Sequence, residues 1–214
     1  YPEKFILGRR LFLKYFFPMY GHRADRIATV SNYSRKDISK TYKIERGEID
    51  VVYNGANSIF KPVNIEQKKK TRQKFTDGNP FFLFIGTIHP RKNLEHLFLA
   101  FNHFKKEKNN IKLVIAGNRK WWPKKLEVIF SGLQFKDDII FLGRQSDEEL
   151  NHLLASSIAL TYLPYFEGFG IPILEAFNAE TPVITSNLTS MPEVAGNAAI
   201  QVNPRDIESI SKAM

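Results

Sequence analysis

From residue 80 onward the chain alternates short apolar runs with stretches of helical period. Phe81-Phe82-Leu83-Phe84-Ile85 is continuously apolar, as a strand buried on both faces is. Leu94, Leu97, Phe98, Phe101 and Phe104 follow on one helical stripe, which Asn93 can cap. Residues 111–116 predict the next strand, ending at Gly117, and 123–132 a helix. Residues 139–142 predict another strand, ending at Gly143. Ser146-Asp147-Glu148-Glu149 is a capping box that opens a helix to about Ser156. A β-rich run over 158–164 leads into a helix through Leu174, Ala176 and Phe177. Strands at 182–185 and 198–202 and a helix from Asp206 complete the pattern. This alternation implies right-handed βαβ units and an α/β fold with a doubly wound, Rossmann-like parallel sheet. Such sheets bind ligands outside the carboxyl ends of their strands. The stretches 86–93, 117–119, 143–146, 165–171 and 186–190 all fall at such ends.

The first third is less regular. Residues 24–30 read as a strand entry, Ser31-Asn32 as a helix start and 34–43 as a short polar helix. A β-rich run over 49–53 precedes an Asn54-Gly55 turn. Residues 64–79 hold Lys68-Lys69-Lys70 and Asp77-Gly78-Asn79-Pro80, and read as a surface linker or short helix. The expected division is 1–60 as the end of one domain, 61–79 as linker and 80–214 as a second domain. Over residues 3–20, Glu3, Lys4, Arg10 and Lys14 gather on one helical side, and Phe5, Phe12, Leu13 and Phe16 lie largely away from it. Arg9 breaks this pattern, and Pro18 is expected to end or kink the helix. Such a helix either packs on other parts of its domain or lies in a membrane interface.

Composition narrows the function. With 43% hydrophobic and 25% charged residues, the 214-residue chain is of ordinary globular type. It has no cysteine, hence no disulfide framework and no thiolate metal site. Neither a secretory signal pattern nor an apolar run of about 18 residues occurs, so a cytoplasmic setting is expected. Residues 1–74 carry 17 Lys/Arg against 7 Asp/Glu, whereas 75–214 carry 14 against 15. The basic excess thus belongs to the first third. No nucleic-acid module accompanies it. An anionic membrane surface, met peripherally at its inner face, or a phosphorylated lipid-linked acceptor suits it better.

The candidate chemistry centres on Glu167-Gly168-Phe169-Gly170-Ile171-Pro172-Ile173-Leu174-Glu175, at a strand-to-helix junction. Free N–H groups and the positive dipole end of the helix there suit an anion such as a phosphate. Glycine lets that anion approach the backbone. Glu167 before the helix and Glu175 about a turn into it can face one ligand. Arg91 and Lys92, in the loop after residues 81–85, supply cations that can neutralise phosphate. No Asp-x-Asp or His/Asp cluster is present, and Asp137-Asp138 lies at the wrong end of its strand. No metal and no cofactor are expected. Trp121-Trp122 either stacks on a base or sugar or anchors its loop. His89 is expected either to support the site from behind or to be structural.

The two glutamates in Tyr-Phe-Glu-Gly-Phe-Gly-Ile-Pro-Ile-Leu-Glu-Ala resemble the signature of the retaining, GT-B-fold glycosyltransferases of family 4. Thr181-Pro182-Val183-Ile184-Thr185-Ser186, Phe84-Ile85-Gly86-Thr87-Ile88-His89-Pro90-Arg91-Lys92-Asn93 and Ala28-Thr29-Val30-Ser31-Asn32-Tyr33-Ser34 are similar to that family too, so the resemblance covers nearly the whole chain. It implies a donor-binding C-terminal domain behind the tail of an acceptor domain, and transfer of a sugar from a nucleotide sugar to a saccharide or lipid-linked acceptor. It puts Lys92 on the diphosphate, Glu175 on the ribose and Glu167 nearer the sugar. Gly168, Phe169, Gly170 and Ile171 then border sugar and phosphate, Gly86 and Thr87 line the donor site, and Arg144, Gln145 and Ser146 flank the base. Many members carry an arginine where this chain has Thr87, which leaves open whether Arg91 supplies the second cation.

The histidine-bearing loop after residues 81–85 looks like that of bacterial enzymes of cell-surface polysaccharide assembly, many of which use GDP-mannose; a UDP-sugar is the other candidate. With one full set of strands in view, a fragment that binds donor without transferring it is a rival reading. So is another GT-B enzyme, such as a sugar-nucleotide epimerase. A dehydrogenase would call for Gly-x-Gly-x-x-Gly after an early strand, which is absent.

Overall fold

Residues 7–106, 110–119 and 121–214 are described by the computed structural model, and two units part between Asn54 and Gly55. In the first, α1 (Leu7–Arg23) precedes β1 (Ile27–Thr29), α2 (Asn32–Tyr42) and β2 (Ile49–Val51). The two strands pair in parallel, Ile27 opposite Ile49. Ser31 starts α2 as anticipated: its Oγ accepts from the Ser34 N–H at 3.0 Å. Pro18 does not end α1. Lys14, whose carbonyl Pro18 cannot serve, is exposed, so water can satisfy it. Phe12, Tyr15, Phe16, Phe17 and Tyr20 are exposed, with the Phe12 and Phe16 rings stacked at 4.9 Å. Glu3, Lys4, Phe5 and the side chains of Arg9 and Arg10 lie outside the described residues.

The second unit opens with α3 (Ile65–Thr76), within the stretch anticipated as linker or short helix. Asn64 caps it, accepting from the Gln67 N–H at 2.8 Å. Its lysines face solvent, while Thr71 and Thr76 are buried and return their hydroxyls to the Gln67 and Arg72 carbonyls. The remaining elements alternate: β3 (Phe81–Ile85), α4 (Leu94–Phe104), β4 (Lys112–Ala116), α5 (Lys124–Ser131), β5 (Ile139–Gly143), α6 (Asp147–Ser156), β6 (Leu160–Tyr162), α7 (Ile171–Asn178), β7 (Val183–Ser186), α8 (Met191–Ala195), β8 (Ile200–Val202) and α9 (Ile207–Ala213). α3 packs on α6, and Arg72 Nε donates to the Ser156 carbonyl at 3.0 Å.

The strands form one parallel sheet in the order β5-β4-β3-β6-β7-β8. This is the doubly wound order in which the chain starts centrally, works to one edge, returns and works to the other. Because side chains alternate across a strand, each strand feeds two cores. Phe82, Phe84, Leu113 and Ile115 pack with Leu97, Phe98 and Phe101 of α4 on one face. Phe81, Leu83, Ile85 and Val114 pack with Leu153, Leu154 and Ile173 on the other. Burying about 25 cal/mol per Å² of apolar surface on both faces makes this central sheet the most strongly held part of the unit. The reversal of winding falls between β3 and β6, paired through Leu83 and Leu160.

Asp138, at the entry end of β5, bonds Lys105 at 2.8 Å and also Lys112. It serves the buried Lys105 and lies away from the carboxyl ends, as its position before the strand indicates.

Candidate active site

Where β3 and β4 end, their loops press together. Gly86 N–H donates to the Ala116 carbonyl at 2.9 Å, and Ile88 N–H to Asn118 at 3.0 Å. A Cβ on Gly117 would lie 1.9 Å from the Gly86 oxygen, so only glycine permits this approach. The chain then makes a single turn over Pro90–Lys92. His89 holds it by accepting the Arg91 N–H on Nδ1 at 3.2 Å, the structural role anticipated for it. Asn93, at the start of α4, does not cap that helix with its side chain; its amide donates to the Pro204 carbonyl at 2.6 Å instead. The turn sends Arg91 and Lys92 across the switch point, where Tyr165 N–H donates to the Arg91 carbonyl at 2.8 Å.

Beyond β6, Ser190 Oγ donates to the carbonyls of Glu167, at 2.8 Å, and Phe169, at 3.2 Å. Gly170 stands before α7 at φ 102°, where a side chain would also strike Met191. Ile171 and Pro172 then start the helix, where the missing N–H of proline costs nothing. This scaffold aims Glu167 back at the turn after β3. Its Oε2 accepts from Arg91 Nη1 at 2.5 Å, from Lys92 Nζ, and from the Tyr162 hydroxyl at 3.1 Å. Lys92 Nζ also donates to the Tyr162 oxygen. Burial pushes the Glu167 pKa upward, but the charges and hydrogen bonds of Lys92 and Arg91 outweigh it and hold the carboxyl below its ordinary range. Burial lowers the Lys92 pKa against the pull of Glu167. Burial, with Glu167 adding, drives the Tyr162 phenol far up, so it remains a neutral donor. Two cations thus meet one carboxylate. The sequence reading proposed Arg91, Lys92 and Glu167 for one site, and they come together; Tyr162 was missed.

A cleft of about 610 Å³ lies over the ends of β3, β4 and β5. Gly86, Thr87, Arg144, Gln145 and Ser146 line it, all five singled out from sequence, together with Asn118 and Asp147, which were not. Gln145 is steadied by its amide donating to the Leu142 carbonyl at 2.7 Å. Ser146 caps α6, its Oγ accepting the Glu149 N–H at 3.2 Å. Glu175 is half-buried on α7, and burial pushes its pKa up to about 7, with the charge of Asp147 adding. Its charge also acts on Tyr162, so it is coupled both to the cleft and to the Glu167 cluster. Trp122 is a loop anchor among Phe98, Phe130 and Phe141, with the Arg119 guanidinium 4.0 Å from its ring centre. Trp121 is exposed, edge-on to His89. Among the described residues no three His, Cys, Asp or Glu side chains gather as a metal site.

Residues 65–214 match the family model described as glycosyl transferases group 1. The chain belongs to that family. An O-antigen chain mannosyltransferase, RfbU, of Salmonella typhimurium is 33% identical over 214 residues, all of this chain and 56% of the relative. O-antigen chain mannosyltransferase B of Escherichia coli is 33% identical over 190 residues, 88% of this chain and 50% of the relative. The chain therefore spans about half the length of the curated relatives it matches. Among solved structures, HepE of Anabaena in complex with UDP and glucose superimposes with a TM-score of 0.84 at 17% identity, over 99% of this chain and 57% of that one. WaaG, a glycosyltransferase involved in lipopolysaccharide biosynthesis, gives 0.78 at 20% identity, over 99% and 60%. These two likenesses concern the fold, a GT-B glycosyltransferase fold. The family match covers all six strands of the larger sheet and every residue of the two clusters just described.

Proposed function

We propose that this member of the group 1 glycosyltransferases holds the donor of a retaining, family 4 reaction. In it a sugar passes from a nucleoside-diphosphate sugar, of the GDP-mannose or UDP-sugar type, to a saccharide or lipid-linked acceptor in cell-surface polysaccharide synthesis. The observation that carries this reading is the convergence of Arg91 and Lys92 with Glu167 at the switch point, beside the cleft over β3–β5. A diphosphate needs neutralising cations where charge grows as its bond to the sugar breaks. Arg91 and Lys92 are placed for that, backed by the N–H groups of Phe169, Gly170 and Ile171 at the helix start. Arg144, Gln145 and Ser146 take the base side of the cleft. Glu175 accepts ribose hydroxyls. Gly168 and Glu167 border the sugar. The mannosyltransferase names of the two relatives favour GDP-mannose.

In the proposed step the acceptor oxygen bonds to the anomeric carbon on the face from which the diphosphate leaves. The anomeric carbon–oxygen bond breaks with its electron pair going to the diphosphate, and the acceptor proton passes to a leaving phosphate oxygen. Arg91 and Lys92 are proposed to do this without a divalent ion. No helix among the described residues is long and apolar enough to cross a membrane. Peripheral contact through the basic first third belongs to the proposal. The deciding experiment is a thermal-shift panel of GDP-mannose, UDP-glucose and ADP-glucose with chelator present, since a bound donor stabilises by mass action. GDP-mannose is expected to shift the midpoint most. Shifts that vanish with chelator and return with magnesium or manganese would overturn the metal-free part, and no shift with any donor would overturn the whole.

A further inference from the structure

One oxygen, Glu167 Oε2, accepts from three donors: the Arg91 guanidinium, the Lys92 ammonium and the Tyr162 hydroxyl. Three converging donors, two of them cationic, are the surroundings of a bound phosphate oxygen. The carboxylate is mostly enclosed, its side chain 17% exposed and that of Lys92 11%. Its place is set by a backbone held through Ser190 and by the glycine at 170, not by the donors alone. Tyr162 lies on β6, inside the sheet, with its hydroxyl at the cluster and the Lys92 ammonium 4.6 Å from its ring centre.

We propose that Arg91, Lys92 and Tyr162 form a three-donor anion site, that Glu167 holds these donors as an internal anion, and that a phosphate oxygen of the ligand displaces it. This rests on the donor reading above and adds to it a residue and an exchange. Tyr162 becomes a direct ligand of phosphate. Glu167 becomes a competitor of the diphosphate before it becomes a partner of the sugar. Arg91 and Lys92 cannot each satisfy two anions in one place, so arrival of the phosphate frees Glu167 at the moment when a sugar stands beside it. The largely buried Lys92 thereby always keeps a counter-charge, which avoids leaving desolvated charge unpaired. An open fraction of about one in ten costs about tenfold in apparent affinity, and removing the competitor recovers it.

The test uses this chain and two probes, inorganic pyrophosphate and GDP, titrated by calorimetry with guanosine as the uncharged control. E167Q, which removes the competing charge, is expected to bind pyrophosphate and GDP about tenfold more tightly and guanosine unchanged. GDP-mannose is expected to gain less, because the freed carboxylate is then missed at the sugar. Y162F is expected to weaken pyrophosphate about fivefold in the E167Q background, the worth of one hydrogen bond. In the native background its effect should be under about twofold, because the hydroxyl is lost to both competitors. Should E167Q fail to fold, E167D, whose carboxylate is drawn back by one methylene, is expected to tighten pyrophosphate in the same direction. Unchanged or weaker pyrophosphate binding in E167Q or E167D, with K92A still weakening it, overturns the exchange and leaves the donor reading standing. Pyrophosphate and GDP binding that K92A does not alter overturns both.

Discussion

Replacing Glu175 by glutamine should make the ligand-free protein more stable while making it a poorer nucleotide binder. The carboxyl of Glu175 has its pKa raised from 4.5 to about 7, by burial first and by Asp147 second. An acid whose folded-state pKa is raised favours folding in its protonated form. That contribution is complete below about pH 4.5 and is lost as the pH rises through about 7. At about 1.4 kcal/mol per pKa unit the rise is equivalent to about 3 kcal/mol. The group is only half-buried, and screening by water reduces this to about 1–2 kcal/mol. Glutamine keeps the shape and cannot ionise, so E175Q should gain about 1–2 kcal/mol at pH 8 and almost nothing at pH 5. For a unit of this size that is about 3–6 °C in Tm. Chemical denaturation in urea at a series of pH values measures it directly. The D147N variant is a second arm: removing the neighbouring charge should lower the folded-state pKa, so that the E175Q gain is smaller and levels off at lower pH. In the same protein GDP should bind about tenfold more weakly, the ribose having lost an ionised acceptor. An E175Q gain equal at pH 5 and pH 8, or no gain at either, would refute the burial argument.

Further outcomes follow from particular contacts. K92A should weaken GDP by about 10–100-fold and leave guanosine unchanged, because the lost interaction is a charge-assisted bond to phosphate; calorimetry with both ligands checks it. G117A forces a methyl to within 1.9 Å of the Gly86 carbonyl oxygen and should cost about 2–4 kcal/mol in urea denaturation. G132A, whose Cβ would stand 3.5 Å or more from its neighbours at ordinary φ, should stay within about 0.5 kcal/mol. D138A strands the buried Lys105 and should cost about 3–5 kcal/mol at pH 7. The Lys105 and Lys112 bonds outweigh burial and hold the Asp138 pKa below 3.8, so the native protein should lose this contribution only as the pH falls below about 4.

Periodicity carried the larger unit well, since buried parallel strands are continuous apolar runs and their helices show a stripe. Strand order was beyond it: nothing local to 81–85 says that this strand lies between β4 and β6 rather than at an edge. The helix at 65–76 was left open between helix and linker because its buried residues are two threonines, with Phe75 alone packing an aromatic ring on the core, and not an apolar stripe. Arg91, Lys92, Glu167 and Glu175 were legible as charged residues at strand ends. Tyr162 was not, because within 158–164 it reads as one more β-forming aromatic. The available signal was its hydroxyl, which needs a partner once the strand is buried. Asp147 was read only as the residue after a cap, and its effect on Glu175 depends on how α6 and α7 are brought together in space. Asn93 misled in the opposite sense: a residue of the right type at a helix start spends its amide on Pro204, a contact 111 positions away.

The hydrogen bond from the Tyr165 N–H to the Arg91 carbonyl joins the two halves of the sheet by main chain alone. Main-chain stitching is indifferent to which side chains are present. The frame that fixes the charged pole of the site can therefore survive replacement of the residues bordering the neighbouring cleft. Arg144 and Gln145 follow β5 and share no hydrogen bond with that frame among those described, and Asn118 meets it through main chain alone, its carbonyl accepting the Ile88 N–H. One lineage could then exchange the base or sugar it accepts by a few point changes around the cleft, without rebuilding the apparatus for the phosphates. Such a chassis is a practical starting point for redirecting donor choice: randomise Asn118, Arg144 and Gln145 on the cleft border, and leave residues 86–93 and 162–170 alone.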